Sequence, residues 1–160
     1  LTDFGKAAIP ALENAGIVVD VSHLNDTGFW EAAQLAKQPL CASHSNSRAV
    51  HAHPRNLTDD QFRFLAEHRG LVGINYYVGF LTEDSAENVT FEHLAAHIEH
   101  FLRLGGEDAL ALGSDFDGAD MPPWLSLVEH TRGLYTRMSK EFGKTITDKI
   151  FWDNAFRFFS

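Results

Sequence analysis

The sequence predicts an α/β fold of about four βα units, amounting to half of a TIM-type (β/α)8 barrel. Four short apolar runs, Ile17–Val21, Leu40–Ser43, Leu71–Tyr76 and Ala109–Ser114, are continuous rather than alternating. Strands buried on both faces read this way. Segments of helical period separate the runs, and that alternation implies parallel strands joined by crossovers. The same order would also suit an open doubly wound sheet. Such a sheet, when it binds a nucleotide, wants a glycine-rich turn after an early strand. Here the strand ends carry histidine and aspartate instead, which favours the barrel.

Each helix has its own start and stop. Thr2 caps a helix through about Asn14, ended by Gly16, with Pro10 removing one internal hydrogen bond and predicting a kink. Phe29, Ala32, Ala33 and Leu35–Ala36 form a short amphipathic helix that stops before Pro39. Thr58 and Gln61 have capping-box spacing and open a helix through about His68, closed by Gly70. Thr90 opens another through about Leu104, with Leu94, Ile98, Phe101 and Leu102 on its apolar side. Residues 122–143 hold at least one helix, and Thr147–Phe159 form the last. No repeat, linker or low-complexity tract divides the chain, so residues 1–160 read as a single region.

Composition excludes some functions. The 160 residues carry 13 basic and 22 acidic side chains, a formal charge of −9 with no basic stripe, so nucleic acid is not an expected partner. No apolar run approaches the length of a membrane span. The opening residues LTDFGK lack the pattern of a signal peptide. Cys41 is the only cysteine, so no internal disulfide forms, and a cytoplasmic location is the expectation. Cys41 sits within a strand run and reads as a small inert hydrophobe.

Three strand ends are polar: Val19-Asp20-Val21-Ser22-His23, Cys41-Ala42-Ser43-His44-Ser45 and Leu112-Gly113-Ser114-Asp115-Phe116-Asp117. Parallel barrel strands bring their C-terminal ends to one face, where active sites form. A single histidine there is more often structural. Two at matching positions on neighbouring strands, with an aspartate at a third, point to a metal site. His93, His97 and His100 share a helix face but lie away from the strand ends, so a surface or packing role is expected. His51 and His53 fall in a loop and read as supporting residues. Asp20 and Asp117 suit either the orientation of ligands or simple burial with hydrogen bonds.

The segments GIVVDVSH (16–23), PLCASHSN (39–46), PRNLTD (54–59) and LGSDFDG (112–118), taken in order, resemble the successive signatures of the renal (membrane) dipeptidase family. The likeness covers nearly the whole chain and implies the C-terminal half of a metal-dependent hydrolase barrel. It implies a site with two zinc ions that hydrolyses dipeptides. His23 and His44 match the two histidines that bind one zinc. Arg55 matches the arginine that grips the substrate carboxylate. Asp115 matches the aspartate beside the metals, which contacts substrate and handles protons.

The residue types suit that chemistry. Zinc acidifies water toward a pKa of about 7 and polarises the scissile carbonyl. A carboxylate can accept the proton of the attacking water and return it to the leaving amine. A guanidinium pairs with a terminal carboxylate through two parallel hydrogen bonds. The family's complete site also needs a His-x-Asp pair and a bridging glutamate, and neither is found here: the sequence has no His-x-Asp, and no Glu ends a predicted strand. Residues 1–160 alone are therefore expected to be a weak or inactive peptidase. Open sheet edges would favour a homo-oligomer or other edge association. Two other readings stand beside the dipeptidase. One is a non-catalytic half-barrel with an assembly or binding role. The other is a different metal-dependent amidohydrolase, which would want an H-x-H on its first strand.

Overall fold

A computed structural model describes all of residues 1–160. The first three helices begin at capping side chains. Helix α1 spans Asp3–Asn14, and Thr2 Oγ1 accepts the Gly5 N–H at 3.1 Å. It runs through Pro10 and ends at Gly16, whose φ of 74° suits a residue without a Cβ. Helix α2, Asp26–Leu35, is capped by Asn25, which accepts the Gly28 N–H at 2.8 Å. Helix α3, Asp59–Glu67, has the full capping box: Thr58 Oγ1 accepts from the Gln61 amide at 3.2 Å, and Gln61 Oε1 accepts from the Thr58 amide at 2.9 Å.

The sheet has three parallel strands in the order β1 (Cys41–Ala42), β2 (Leu71–Ile74) and β3 (Leu110–Leu112). Cys41 pairs with Leu71, and Val72 with Leu110. The expected first strand, Ile17–Val21, does not form as a strand. It is reduced to one parallel bridge between Asp20 and Cys41, closed by Val21 N–H to Cys41 O at 2.8 Å and Cys41 N–H to Val19 O at 3.1 Å. This segment lies at an open edge, where Ile17 is 53% exposed and has no partner on its outer side. Three strands and a bridge thus replace four full strands.

One sheet face packs Ala42, Val72, Ile74 and Leu110 into the main core with α3 and α5, the latter spanning Phe91–Arg103. The one-turn helix α4, Val78–Leu81, follows β2. Phe62 of α3 stacks on Phe101 of α5 with centroids 3.9 Å apart. Burying each such ring contributes about 2–3 kcal/mol. The other face carries Cys41, Leu71 and Ala111, covered by Ala155 and Phe158. Burial pushes the Cys41 thiol up to about 12, as expected of an inert thiol.

Helix α6, Thr131–Phe142, fills the predicted 122–143 segment. The final helical stretch starts three residues earlier than expected, at α7 (Lys144–Asp148). It passes through a π-helical turn at Lys149–Asp153 into α8 (Asn154–Phe159). Thr147 does not cap it; its hydroxyl donates to Gly143 O at 2.9 Å from within the helix. No helix is long and apolar enough to cross a membrane.

The three histidines of α5 do separate structural work. His93 Nδ1 accepts the Thr90 N–H at 3.0 Å, and His100 pairs with Asp59 at 2.8 Å. His97 is fully buried: Nδ1 accepts the Ser47 N–H at 3.1 Å, and Nε2 faces Leu81 O at 3.1 Å. Its neutral ring ties α5 to α4 and to the loop after β1. Burial holds its pKa at about 4, against an ordinary 6.5. Above pH 6.5 this contribution is fully present. Between 6.5 and 4 the unfolded chain takes up a proton that the folded chain refuses, so stability is lost as pH falls. Urea titrations should show about 3 kcal/mol lost over that window through His97. In His97→Asn the same acid sensitivity should largely disappear.

Candidate active site

All four sequence-predicted site residues lie at or beyond the C-terminal ends of the strands. His23 follows the edge bridge, His44 follows β1, Arg55 lies in the loop before α3, and Asp115 follows β3. The strand backbones approach closely beneath them. A methyl group on Gly113 would sit 1.9 Å from Ser43 O, and one on Gly73 would sit 2.0 Å from the same oxygen. Only glycine permits this close approach of β2 and β3 to the backbone that carries His44.

His23 and His44 come together, with their Nε2 atoms 2.8 Å apart and ring centroids 4.9 Å apart. Two imidazoles on a tetrahedral zinc, each about 2.0–2.1 Å from it, have nitrogens roughly 3.3 Å apart. The pair fits a metal after opening by about half an ångström. No group of three His, Cys, Asp or Glu side chains converges closely enough to hold a metal ion within this chain. Burial lowers the His44 pKa and outweighs the opposing pull of Asp115 and Asp20. That favours the neutral ring a ligand requires.

Asp115 has a φ of 65°, and Asp117 repeats it at 64°. Aspartate tolerates the left-handed region better than most residues, and the backbone there aims the side chain into the cleft. Asn75 Nδ2 donates to Asp115 Oδ2 at 3.1 Å. Asn75 is itself fixed by Asn46, whose side chain pairs with both its N–H and its C=O, at 2.9 and 3.1 Å. The Tyr77 N–H donates to Asn75 Oδ1 at 2.6 Å. This asparagine pair, fully buried, links the ends of all three strands. His23, Tyr77, Phe80, Asp115 and Asp117 line a cleft of about 520 Å³. A cleft of equal volume between Gln38, Arg69 and Arg157 lies beside the opposite strand ends and contains none of the candidate residues.

Arg55 places its guanidinium over the Phe80 ring, 5.3 Å from the centroid. His53 Nδ1 accepts the Arg55 N–H at 3.1 Å, and its ring lies 4.7 Å from Phe80. The supporting role expected of His53 is therefore a brace for Arg55. Both terminal nitrogens of Arg55 are buried and have no hydrogen-bond partner. Burial lowers its pKa, and Asp115 and Asp20 oppose that shift through their charge. A buried cationic fork with both prongs free has the donor geometry to pair with a carboxylate.

A family model described as membrane dipeptidase (peptidase family M19) matches residues 1–160 throughout. The chain belongs to the membrane dipeptidase family. An uncharacterized Klebsiella pneumoniae protein is 36% identical over 160 residues, covering 98% of this chain and 59% of that one. An uncharacterized dipeptidase of Schizosaccharomyces pombe is 32% identical over 123 residues, covering 77% and 30%. Among solved structures, a metallopeptidase described as dipeptidase AC of family M19 superposes with a TM-score of 0.93 at 36% identity, over 99% of this chain and 48% of that one. A Rhodobacter sphaeroides metallopeptidase, solved with a phosphinate mimic of the dipeptide L-Ala-D-Ala, also gives 0.93 at 36% identity, over 99% and 46%. The chain thus spans about half the length of the M19 structures it matches.

Proposed function

We propose that residues 1–160 are the C-terminal half of a (β/α)8 barrel and contribute half of a two-zinc dipeptidase site. The observation that carries this reading is Arg55, whose two free, buried nitrogens share one end of the sheet with the histidine pair and Asp115. In this reading Arg55 grips the C-terminal carboxylate of a short peptide. Phe80 flanks the guanidinium and His53 braces its backbone. His23 and His44 hold one zinc. Bound zinc supplies Lewis acidity to the scissile carbonyl and to water.

Asp115 Oδ2 is engaged by Asn75, so we assign the moving proton to Oδ1. That oxygen takes the proton of the attacking water and delivers it to the departing amine. The second zinc's ligands and the bridging carboxylate come from outside these residues. The exposed Ile17 and Val18, beside the single-rung edge, mark where the remaining strands would pair.

Metal analysis of the complete dipeptidase containing this segment tests the ligand assignment. Two zincs per chain are expected, falling to about one in His23→Ala and in His44→Ala. Retention of both zincs in these variants would sink it.

A further inference from the structure

We infer that Asp20 and Ser43 act as a relay that fixes which nitrogen of His44 carries the proton, leaving the nitrogen that faces His23 as a bare electron-pair donor. The inference rests on the reading of His44 as a metal ligand, but its test does not. A neutral imidazole carries one N–H and one lone pair, and only the lone pair binds metal. Unconstrained, the ring favours the proton on Nε2, the nitrogen that points at His23.

Counting donors decides the matter. His44 Nδ1 lies 2.6 Å from Ser43 Oγ. The same Ser43 hydroxyl donates to Asp20 Oδ2. An ionised carboxylate has no proton to give, and serine has only one. With that proton committed to Asp20, Ser43 offers His44 a lone pair. Nδ1 must then carry the ring proton, and Nε2 is bare. Across the 2.8 Å contact, His44 is the acceptor and His23 the donor.

The relay is held at both ends. Asp20 Oδ1 accepts the N–H groups of Ser22 at 2.9 Å and Ser43 at 3.1 Å, so the carboxylate cannot swing away. Asp20 as a residue faces solvent at the open edge, yet its carboxyl is partly desolvated. That desolvation pushes its pKa up, but the hydrogen bonds from Ser43 and Ser22 outweigh it and keep Asp20 ionised. Ser22 Oγ accepts the His44 N–H at 3.0 Å and fixes the ring's backbone. Asp20 and Ser43 touch neither substrate nor metal in this account. They are positioning residues for His44, and the relay selects between two forms of a neutral ring without net gain or loss of a proton.

Long-range proton–nitrogen NMR of the imidazole rings at neutral pH reads the proton's position directly in the 160-residue chain. The expected result is His44 protonated on Nδ1. In Asp20→Asn the new amide can donate to Ser43 Oγ, turning the hydroxyl proton toward His44 and moving the ring proton to Nε2. Ser43→Ala should also release the ring to its Nε2-protonated form. Zinc affinity, measured by chelator competition with zinc alone, should fall about 10–100-fold in both variants. A wild-type His44 protonated on Nε2 would overturn the relay. So would an Nδ1 proton that stays in place in both variants. An Nδ1 proton that moves as expected, in a complete protein whose zinc does not bind His44, would uphold the relay and remove the ligand assignment instead.

Discussion

If the proposed reading holds, replacing Asp115 with asparagine in the complete protein should lower kcat for dipeptides by about 10²–10⁴-fold and leave zinc content nearly unchanged. The substitution is chosen for what it preserves. Asparagine is nearly isosteric and tolerates the φ of 65° at this position, so the turn after β3 should hold. Its side-chain oxygen can still accept from Asn75 Nδ2. What it loses is the ability to take and return a proton. Alanine at the same site would remove the Asn75 contact as well and confuse chemistry with positioning. Steady-state kinetics beside metal analysis separates the outcomes. Unchanged kcat with full zinc would remove Asp115 from the chemistry, and loss of zinc would make it a ligand.

Arg55→Ala should raise KM for dipeptides about 100-fold with a much smaller change in kcat. Each hydrogen bond to a charged group contributes about 1.5–3 kcal/mol, and roughly 3 kcal/mol corresponds to two powers of ten. The substrate carboxylate is bound alike before and during reaction, so its loss is felt in KM. Arg55→Lys should recover little, because an ammonium cannot present two parallel donors. The chemical counterpart is a dipeptide amide, which lacks the anion. The wild-type protein should cleave it poorly, and Arg55→Ala should no longer distinguish amide from acid. Equal cleavage of the two by the wild-type protein would contradict the clamp.

The parts of this account that sequence could reach are those with local signatures. Thr2 and Thr58 announce helix starts because a cap is satisfied within three residues. His23, His44 and Asp115 could be placed on one face because parallel strand ends converge. The edge segment Ile17–Val21 misled, since a strand needs a partner as well as apolar residues, and here it finds only Cys41 on one side. Asn46 and Asn75 were missed for a different reason. Asn46 lies beyond the end of β1 and Asn75 directly after β2, inside the apolar run Leu71–Tyr76, and asparagine has no metal chemistry to draw attention to it. Its function is to read the backbone of the next strand, a contact between residues 29 apart in sequence. Ser43 was hidden beside His44 in the same way. Asp20, suited by sequence either to orienting a ligand or to hydrogen-bonded burial, accepts from the Ser43 hydroxyl and from the Ser22 and Ser43 N–H groups.

Residues 1–160 bring the His23–His44 pair, Arg55 and Asp115 to one end of the sheet, and the proposed reading makes these about half of a two-zinc dipeptidase site. A zinc count per chain, taken together with dipeptide turnover, on residues 1–160 and on the complete protein tests that division most directly. The account predicts two zincs and turnover in the complete protein, with at most one zinc and no appreciable turnover in residues 1–160. Two zincs and full turnover in residues 1–160 alone, or undiminished turnover of the complete protein after its zinc is stripped, would contradict it.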